Sequence, residues 1–104
     1  MNELVGLIEK WSINKNLHKA EPSKQMLKVV EEVGEVASAL ARNDMDKLED
    51  GIGDVIVTLI ILAQQNGMSL EDCLDTAYAE IKGRKGKMIN GVFVKESDLK
   101  VDAK

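Results

Sequence analysis

The sequence predicts an all-α protein: a four-helix bundle that assembles with further copies of itself and carries a short extended and turn segment near its C-terminus. Three observations predict it. Apolar residues recur at steps of three and four through four successive stretches, as in helices that each bury one face. The 104 residues contain one proline, and it stands where a helix would begin. Aromatic residues make up only 3% of the chain against 44% hydrophobic residues, so aliphatic side chains must fill the core.

Leu4, Val5, Leu7, Ile8 and Trp11 predict a first helix from Asn2 to Asn14. The polar stretch from Asn14 to Glu21 follows, with Asn16 and the single histidine, His18. Pro22 suits the first turn of a second helix, where its missing N–H costs nothing. Met26, Val29, Val30, Val33, Ala37 and Leu40 form that helix's stripe, which fades at Arg42-Asn43-Asp44. A third helix starts near Asp46 with its main stripe at Leu48, Ile52, Val55, Ile56, Leu59 and Ala63, while Val57 and Ile61 add apolar surface opposite. A helix apolar all round is buried all round, and so small a bundle cannot surround it, which predicts a subunit interface. Asn66-Gly67 is a C-terminal stop.

Ser69 and Asp72 resemble a capping box for a fourth helix, whose stripe runs through Leu70, Cys73, Leu74, Ala77, Tyr78 and Ile81. Tyr78 and Cys73 accordingly read as core. That helix runs into Lys82-Gly83-Arg84-Lys85-Gly86-Lys87. Met88 to Val94, with Asn90-Gly91 inside, reads as a turn between two short extended pieces. Residues 1–95 read as one domain and 96–104 as a polar tail.

Several function classes fall away on composition. A net charge of −4 gives no electrostatic footprint for a nucleic-acid backbone. Cys73 is the only cysteine, so no internal disulfide forms, as expected in a reducing compartment. Met1 to Lys10 carries two glutamates and no basic start. The longest apolar stretch, Ile52 to Ala63, contains Asp54 and is shorter than the roughly 20 residues that span a bilayer. The expectation is a cytoplasmic protein with neither membrane nor nucleic-acid partners. There is no P-loop. An EF-hand counted from Asp44 would place Glu49 where glycine is required. A di-iron bundle needs Glu-x-x-His motifs, and His18 belongs to none.

What remains is a concentration of acid in two clusters, Glu31-Glu32-Val33-Gly34-Glu35 and Asp50-Gly51-Ile52-Gly53-Asp54. At about 100° per residue, Glu31, Glu32 and Glu35 lie away from the second helix's stripe, with Glu32 nearest its edge. Taken alone, a solvated glutamate face is the commoner reading. Asp50 and Asp54, however, share a face with Val57 and Ile61 and sit at the mouth of something dry. Burying unpaired carboxylates costs several kcal/mol each, by the order-of-magnitude estimate of about 3–5 for an uncompensated charge. Hard divalent cations remove that cost, and Mg²⁺ prefers carboxylate oxygens. Gly51 and Gly53 each cost about 1 kcal/mol relative to alanine in a helix, so something other than helix stability places them there. Their small size lets a ligand or another backbone approach closely.

Glu31-Glu32-x-x-Glu35, followed after a short gap by an acidic helix start containing Gly-Asp, resembles the MazG-like all-α nucleoside triphosphate pyrophosphohydrolases, in particular the short single-domain proteins of phages and bacteria. The resemblance extends from the Trp11 region to Phe93. It implies a MazG-like bundle assembled as a homodimer or homotetramer, with Mg²⁺ (or Mn²⁺ as a substitute) held by the acidic clusters. The implied reaction is hydrolysis of a (deoxy)nucleoside triphosphate to the monophosphate and pyrophosphate. Matched position by position, Glu32 and Glu35 are the metal ligands of the first cluster and Asp54 the terminal Asp of the second. The family's usual Glu falls at position 51, where this chain has Gly51, and Asp50 is the neighbour able to reach the same volume. That departure leaves the number of metal ions open.

Attack of water on the α-phosphorus requires charge neutralisation, in-line positioning and an activated nucleophile. Glu31, the carboxylate not used as a ligand, is the candidate to take the water's proton. Lys82 and Lys85 share a face at the end of the fourth helix, with Arg84 beside them. A basic helix terminus is commonplace, and the resemblance tips Lys82, Arg84 and Lys85 toward the polyphosphate. Lys28, one turn before Glu32, is a further contact. Trp11 and His18 flank the polar connection, where a base could stack on the indole and bond to His18 or Asn16. The ordinary readings are a core tryptophan, which is favoured, and a surface histidine. The rival function is a helical oligomerisation or regulatory module that keeps the bundle without catalysis, and Gly51 supports it.

Overall fold

The computed structural model describes residues 2–102, with side chains described for residues 3–99. In order come α1 (Asn2–Asn14), a 3₁₀ turn (Leu17–Lys19), α2 (Pro22–Ala41), α3 (Met45–Gln65), α4 (Leu70–Ile81), β1 (Gly86–Ile89), β2 (Val92–Lys95) and α5 (Glu96–Asp102). These group into two compact units, Met1–Cys73 and Leu74–Lys104.

In the first unit α2 packs along α3, while α1 and the 3₁₀ turn lie against α3. The helix ends are set by local chemistry. Pro22 opens α2 after an extended Glu21, as the sequence predicts. Asn43 takes a left-handed conformation (φ 56°), and the Asn43 and Asp44 N–H groups bond back to the carbonyls of Leu40 (3.1 Å) and Ala39 (2.9 Å). That Schellman closure reverses the chain in three residues, because asparagine tolerates the left-handed region better than most residues. The Asp44 carboxylate then caps α3, accepting from the Lys47 N–H at 3.2 Å. Gly67 (φ 73°) closes α3 in the same way, with Met68 N–H bonding to Ala63 at 2.9 Å.

The buried face of α2 differs from the expected stripe. Gln25, Val29 and Ala39 are buried, with Glu32 and Val36 half-buried between them, at steps of four and three. Of the expected stripe only Val29 is buried, and Met26, Val30, Val33 and Leu40 are exposed. On α3 the core is Ile60 (0% exposed), Ile61, Ala63 and Thr58, with Gly51 buried nearer its start. Ile52, Ile56 and Leu59 of the expected stripe face outward, whereas Ile61 on the opposite side is buried as expected. The physical reason is the closeness of the seam. Gln25, Ala39, Gly51 and Thr58 take places in it beside Val29, Ile60 and Ile61, and the other aliphatic side chains of the expected stripes are left outside.

Glutamine amides tie the unit together. Gln25 Nε2 donates to the Thr58 carbonyl at 3.0 Å, Gln64 Nε2 to the Glu9 carbonyl at 3.2 Å, and Gln65 Nε2 to the Leu17 carbonyl at 3.0 Å. The last two fix α1 and the 3₁₀ turn on α3. At the start of α4 the Asp72 N–H donates to Ser69 Oγ at 3.1 Å, as the capping reading expects.

In the second unit β1 and β2 pair antiparallel from Gly86 opposite Lys95 to Ile89 opposite Val92. Asn90 (φ 51°) and Gly91 (φ 80°) form the connecting turn, both in the left-handed region that a type I′ hairpin requires. Two expectations need correction here. Leu74 and Tyr78 of the α4 stripe are exposed, Tyr78 by 63%, and Cys73 at the boundary is exposed too, so none of them is core. The expected polar tail is helical over Glu96–Asp102, begun by the Glu96 N–H on the Lys85 carbonyl at 2.7 Å; its last two positions lie outside the described residues. Among the described residues no single helix is long and apolar enough to cross a membrane.

Candidate functional site

The face on which α2 meets α3 carries Glu32 within it, between Val29 and Val36. The sequence expectation put this residue at the edge of the apolar stripe. Glu32 Oε2 is buried and accepts no hydrogen bond. Desolvation raises the Glu32 pKa above the ordinary glutamate value, and the charges of Glu35 and Asp54 add to that effect. A side-chain hydrogen bond with Glu35, which requires a proton on one of the pair, and the charge of Glu31 raise it further. All of these favour the neutral acid, so Glu32 is a carboxylate in want of a proton or a cation.

Two cavities open along the α2–α3 seam, and both belong to the first unit. One, of about 290 Å³, is lined by Glu35, Arg42, Lys47, Asp50, Gly51 and Asp54, with Asp44 at the chain reversal. The other, of about 330 Å³, is lined by Trp11, Gln25, Lys28, Glu32, Asp54 and Thr58, with Leu17, Val57 and Ile61 as its apolar surface. Asp54 is common to both. Trp11 is 47% exposed and faces this second cavity, which corrects the favoured reading of it as a core residue.

The other sequence-predicted residues are distributed as follows. Asp50 lines the first cavity and Lys28 the second. Glu31 is exposed and acts on Glu32 through its charge, but lines neither cavity. His18 is half-buried in the 3₁₀ turn with Nδ1 buried and unbonded, and its neighbour Leu17 reaches the second cavity instead. Lys82, Arg84 and Lys85 belong to the second unit, where Arg84 and Lys85 line a cavity of about 350 Å³ with Glu80, Lys95 and Glu96. Sequence reasoning missed Gln25, Thr58, Arg42 and Lys47. The last two bracket Asn43, and a pair of cations at the reversal between two acidic clusters was the available signal.

Among the described residues no three His, Cys, Asp or Glu side chains are placed to hold a metal ion together. The donor set nevertheless fits a hard divalent cation. It consists of carboxylate oxygens alone, and one of them is buried without a partner. At Gly51, where the resemblance leads one to expect a carboxylate, a Cβ would stand 3.1 Å from Val36 Cγ2 on α2. The missing side chain thus opens the first cavity and lets the seam close beside it.

Comparison with known proteins identifies the family. Residues 20–89 match the MazG nucleotide pyrophosphohydrolase domain, a span that contains both acidic clusters. Over 67 residues the chain is 42% identical to an uncharacterized 18.2 kDa protein in the rep-hol intergenic region of Haemophilus phage HP1 (strain HP1c1). That alignment covers 64% of this chain and 41% of the phage protein, so the chain spans about two fifths of its relative's length. No solved structure matches the chain.

Proposed function

The chain belongs to the MazG nucleotide pyrophosphohydrolase family, and from that premise we propose that it hydrolyses (deoxy)nucleoside triphosphates to monophosphate and pyrophosphate by attack of water at the α-phosphorus. The observation that carries this reading is Glu32: a buried, unbonded carboxylate oxygen with Glu35 and Asp54 close enough to raise its pKa, on the wall of a cleft that also holds an indole and a lysine. Glu32, Glu35, Asp50 and Asp54 are the residues that would hold Mg²⁺. Mg²⁺ held there would offset the phosphate charge and make water a better nucleophile.

The remaining chemistry is the chain's own. Trp11 offers a face for a base, Lys28 offers an ammonium to the α-phosphate end, and the buried Gln25 and Thr58 fix the cleft wall between them. Glu31 is the proposed acceptor of the water's proton. We also propose self-assembly as a homodimer or homotetramer. Leu4 and Leu7 on α1, Leu27 (71% exposed) and Val30 on α2, and Ile52 and Ile56 on α3 leave apolar faces outward. Surface of that kind marks interaction sites when it is contiguous.

The test is a product assay across the common ribo- and deoxyribonucleoside triphosphates with Mg²⁺, resolving pyrophosphate from orthophosphate. Pyrophosphate and monophosphate in equal amounts are expected, and release of orthophosphate overturns the reaction proposed. One observation favours a second reading, a bundle without catalysis: position 51 has no carboxylate, and no three acids converge among the described residues. A thermal shift on adding Mg²⁺ discriminates, because a ligand bound only to the native state stabilises it by mass action.

A further inference from the structure

We propose that the cavity at the α2–α3 reversal is the seat of the pyrophosphate end of the substrate, held by Arg42 and Lys47, with the nucleoside end in the Trp11 cleft and the α-phosphorus presented at Asp54 between them. This rests on the triphosphate reading above and adds the direction in which the substrate lies.

Three features of the cavity lead there. Its cations are not spent on its acids. Arg42 and Lys47 line it together with Glu35, Asp44, Asp50 and Asp54, yet among the described residues no ion pair joins either cation to these carboxylates. A wall with both signs of charge and no direct pairing suits a ligand that presents both signs itself, an anion carried with a divalent cation. Arg42 offers the planar, multiply donating group that matches phosphate oxygens, and Lys47 a point charge.

Size and position agree. A volume of about 290 Å³ falls just below the roughly 300–1,000 Å³ of ligand pockets, which suits two phosphate groups better than a whole nucleotide. Gly51 lines the cavity without a side chain to fill it. Asp54 lines this cavity and the Trp11 cleft, Glu35 lines only this one, and Glu32 only the other. A triphosphate drawn across Asp54 therefore has its scissile bond beside the carboxylates and its leaving group beside the cations. The three-residue reversal closed by Asn43 sets Arg42 and Lys47 on opposite sides of one turn, at the end of α2 and the start of α3.

The experiment is calorimetric titration of the full chain, in constant Mg²⁺, with pyrophosphate and separately with nucleoside monophosphates. The double variant Arg42→Gln, Lys47→Gln is expected to weaken pyrophosphate binding by about tenfold or more, the scale of one lost charge-assisted hydrogen bond. Monophosphate binding is expected to stay unchanged, and Trp11→Ala to give the opposite pattern. Arg42→Lys with Lys47→Arg, which keeps both charges, is expected to retain pyrophosphate, and melting curves of all variants confirm the fold. The proposal is overturned if the wild-type chain binds no pyrophosphate, if the double variant binds it as wild type does, or if both ligands weaken alike. Failure of the broader reading is seen separately: pyrophosphate bound through Arg42 and Lys47 in a chain that releases none from any triphosphate would leave the anion seat standing and remove the reaction.

Discussion

The side-chain amide of Gln25 donates to the backbone carbonyl of Thr58 at 3.0 Å, a buried hydrogen bond from α2 to α3 on the wall of the Trp11 cleft. Thr58 in turn donates its hydroxyl to the Val55 carbonyl at 2.7 Å, so neither polar side chain enters the seam uncompensated. Gln25→Met keeps the length and removes the donor. It is expected to cost about 1 kcal/mol in urea unfolding, the net worth of one neutral hydrogen bond. Gln25→Glu sets a carboxylate against a carbonyl and is expected to cost more. Equal stability for all three proteins would show that the bond contributes nothing.

The order of the four main helices and the hairpin was readable from residue chemistry: the bounds of α1, Pro22 at the start of α2, the Asn66-Gly67 stop, Ser69 beneath α4 and the Asn90-Gly91 turn all follow from local rules. Which face of α2 and α3 turns inward was not. Periodicity locates the largest aliphatic side chains, while the seam selected Gln25, Ala39, Thr58 and Gly51, whose value lies in close approach and bonding to backbone. The candidate site was legible as a list of acids. Its arrangement around Glu32 was hidden, because Glu32 belongs to the face that periodicity did not pick. Arg42 and Lys47 were hidden because a cation at a chain reversal carries no periodic signal.

The two glycines of the second acidic cluster are expected to respond differently to alanine. A Cβ on Gly53 meets nothing within 4 Å, so Gly53→Ala is expected to stabilise by about 0.5–1 kcal/mol through helix propensity. A Cβ on Gly51 stands 3.1 Å from Val36 Cγ2, and a valine in a helix has little rotamer freedom with which to yield. Gly51→Ala is therefore expected to gain less than Gly53→Ala or to lose stability. Denaturant midpoints read the difference directly, and a larger gain at position 51 would contradict the close packing.

Assembly is open to a charge test. Ile52 and Ile56 are exposed on one face of α3, a turn apart. Replacing both with lysine is expected to shift the chain to its monomer mass in sedimentation while the isolated fold persists, because neither side chain is buried within the chain. An unchanged mass would remove this face from the interface.

Glu35→Gln is nearly isosteric and is expected to reduce pyrophosphate release by at least about 100-fold, the upper end of what loss of an outer-shell partner of a metal costs. The variant's melting temperature in the absence of metal is expected to hold or rise, since it relieves repulsion on Glu32. Activity within a few-fold of wild type would exclude Glu35 from the ligand set.

Glu32 gives the sharpest test, because one substitution is expected to change sign with metal. Its pKa is raised in the folded chain by burial and then by Glu35 and Asp54. A raised folded pKa means that the native state holds the proton more tightly than the unfolded chain does. The associated stability is thus fully present below the unfolded glutamate pKa and is lost as pH rises through the folded one. Glu32→Gln never ionises, and its amide can donate to a neighbouring carboxylate. In chelator the variant is expected to melt above wild type at neutral pH, with the gap closing as pH falls through the raised Glu32 pKa toward the ordinary glutamate value and wild-type Glu32 takes up its proton. In saturating Mg²⁺ the order is expected to reverse, because the wild-type carboxylate gains its cation and the amide offers a poorer ligand. Calorimetric scans with chelator and with Mg²⁺ across that pH range decide it. A variant that melts below wild type in chelator would mean that Glu32 stabilises the metal-free seam, and its unbonded oxygen would then need another explanation than a cation site.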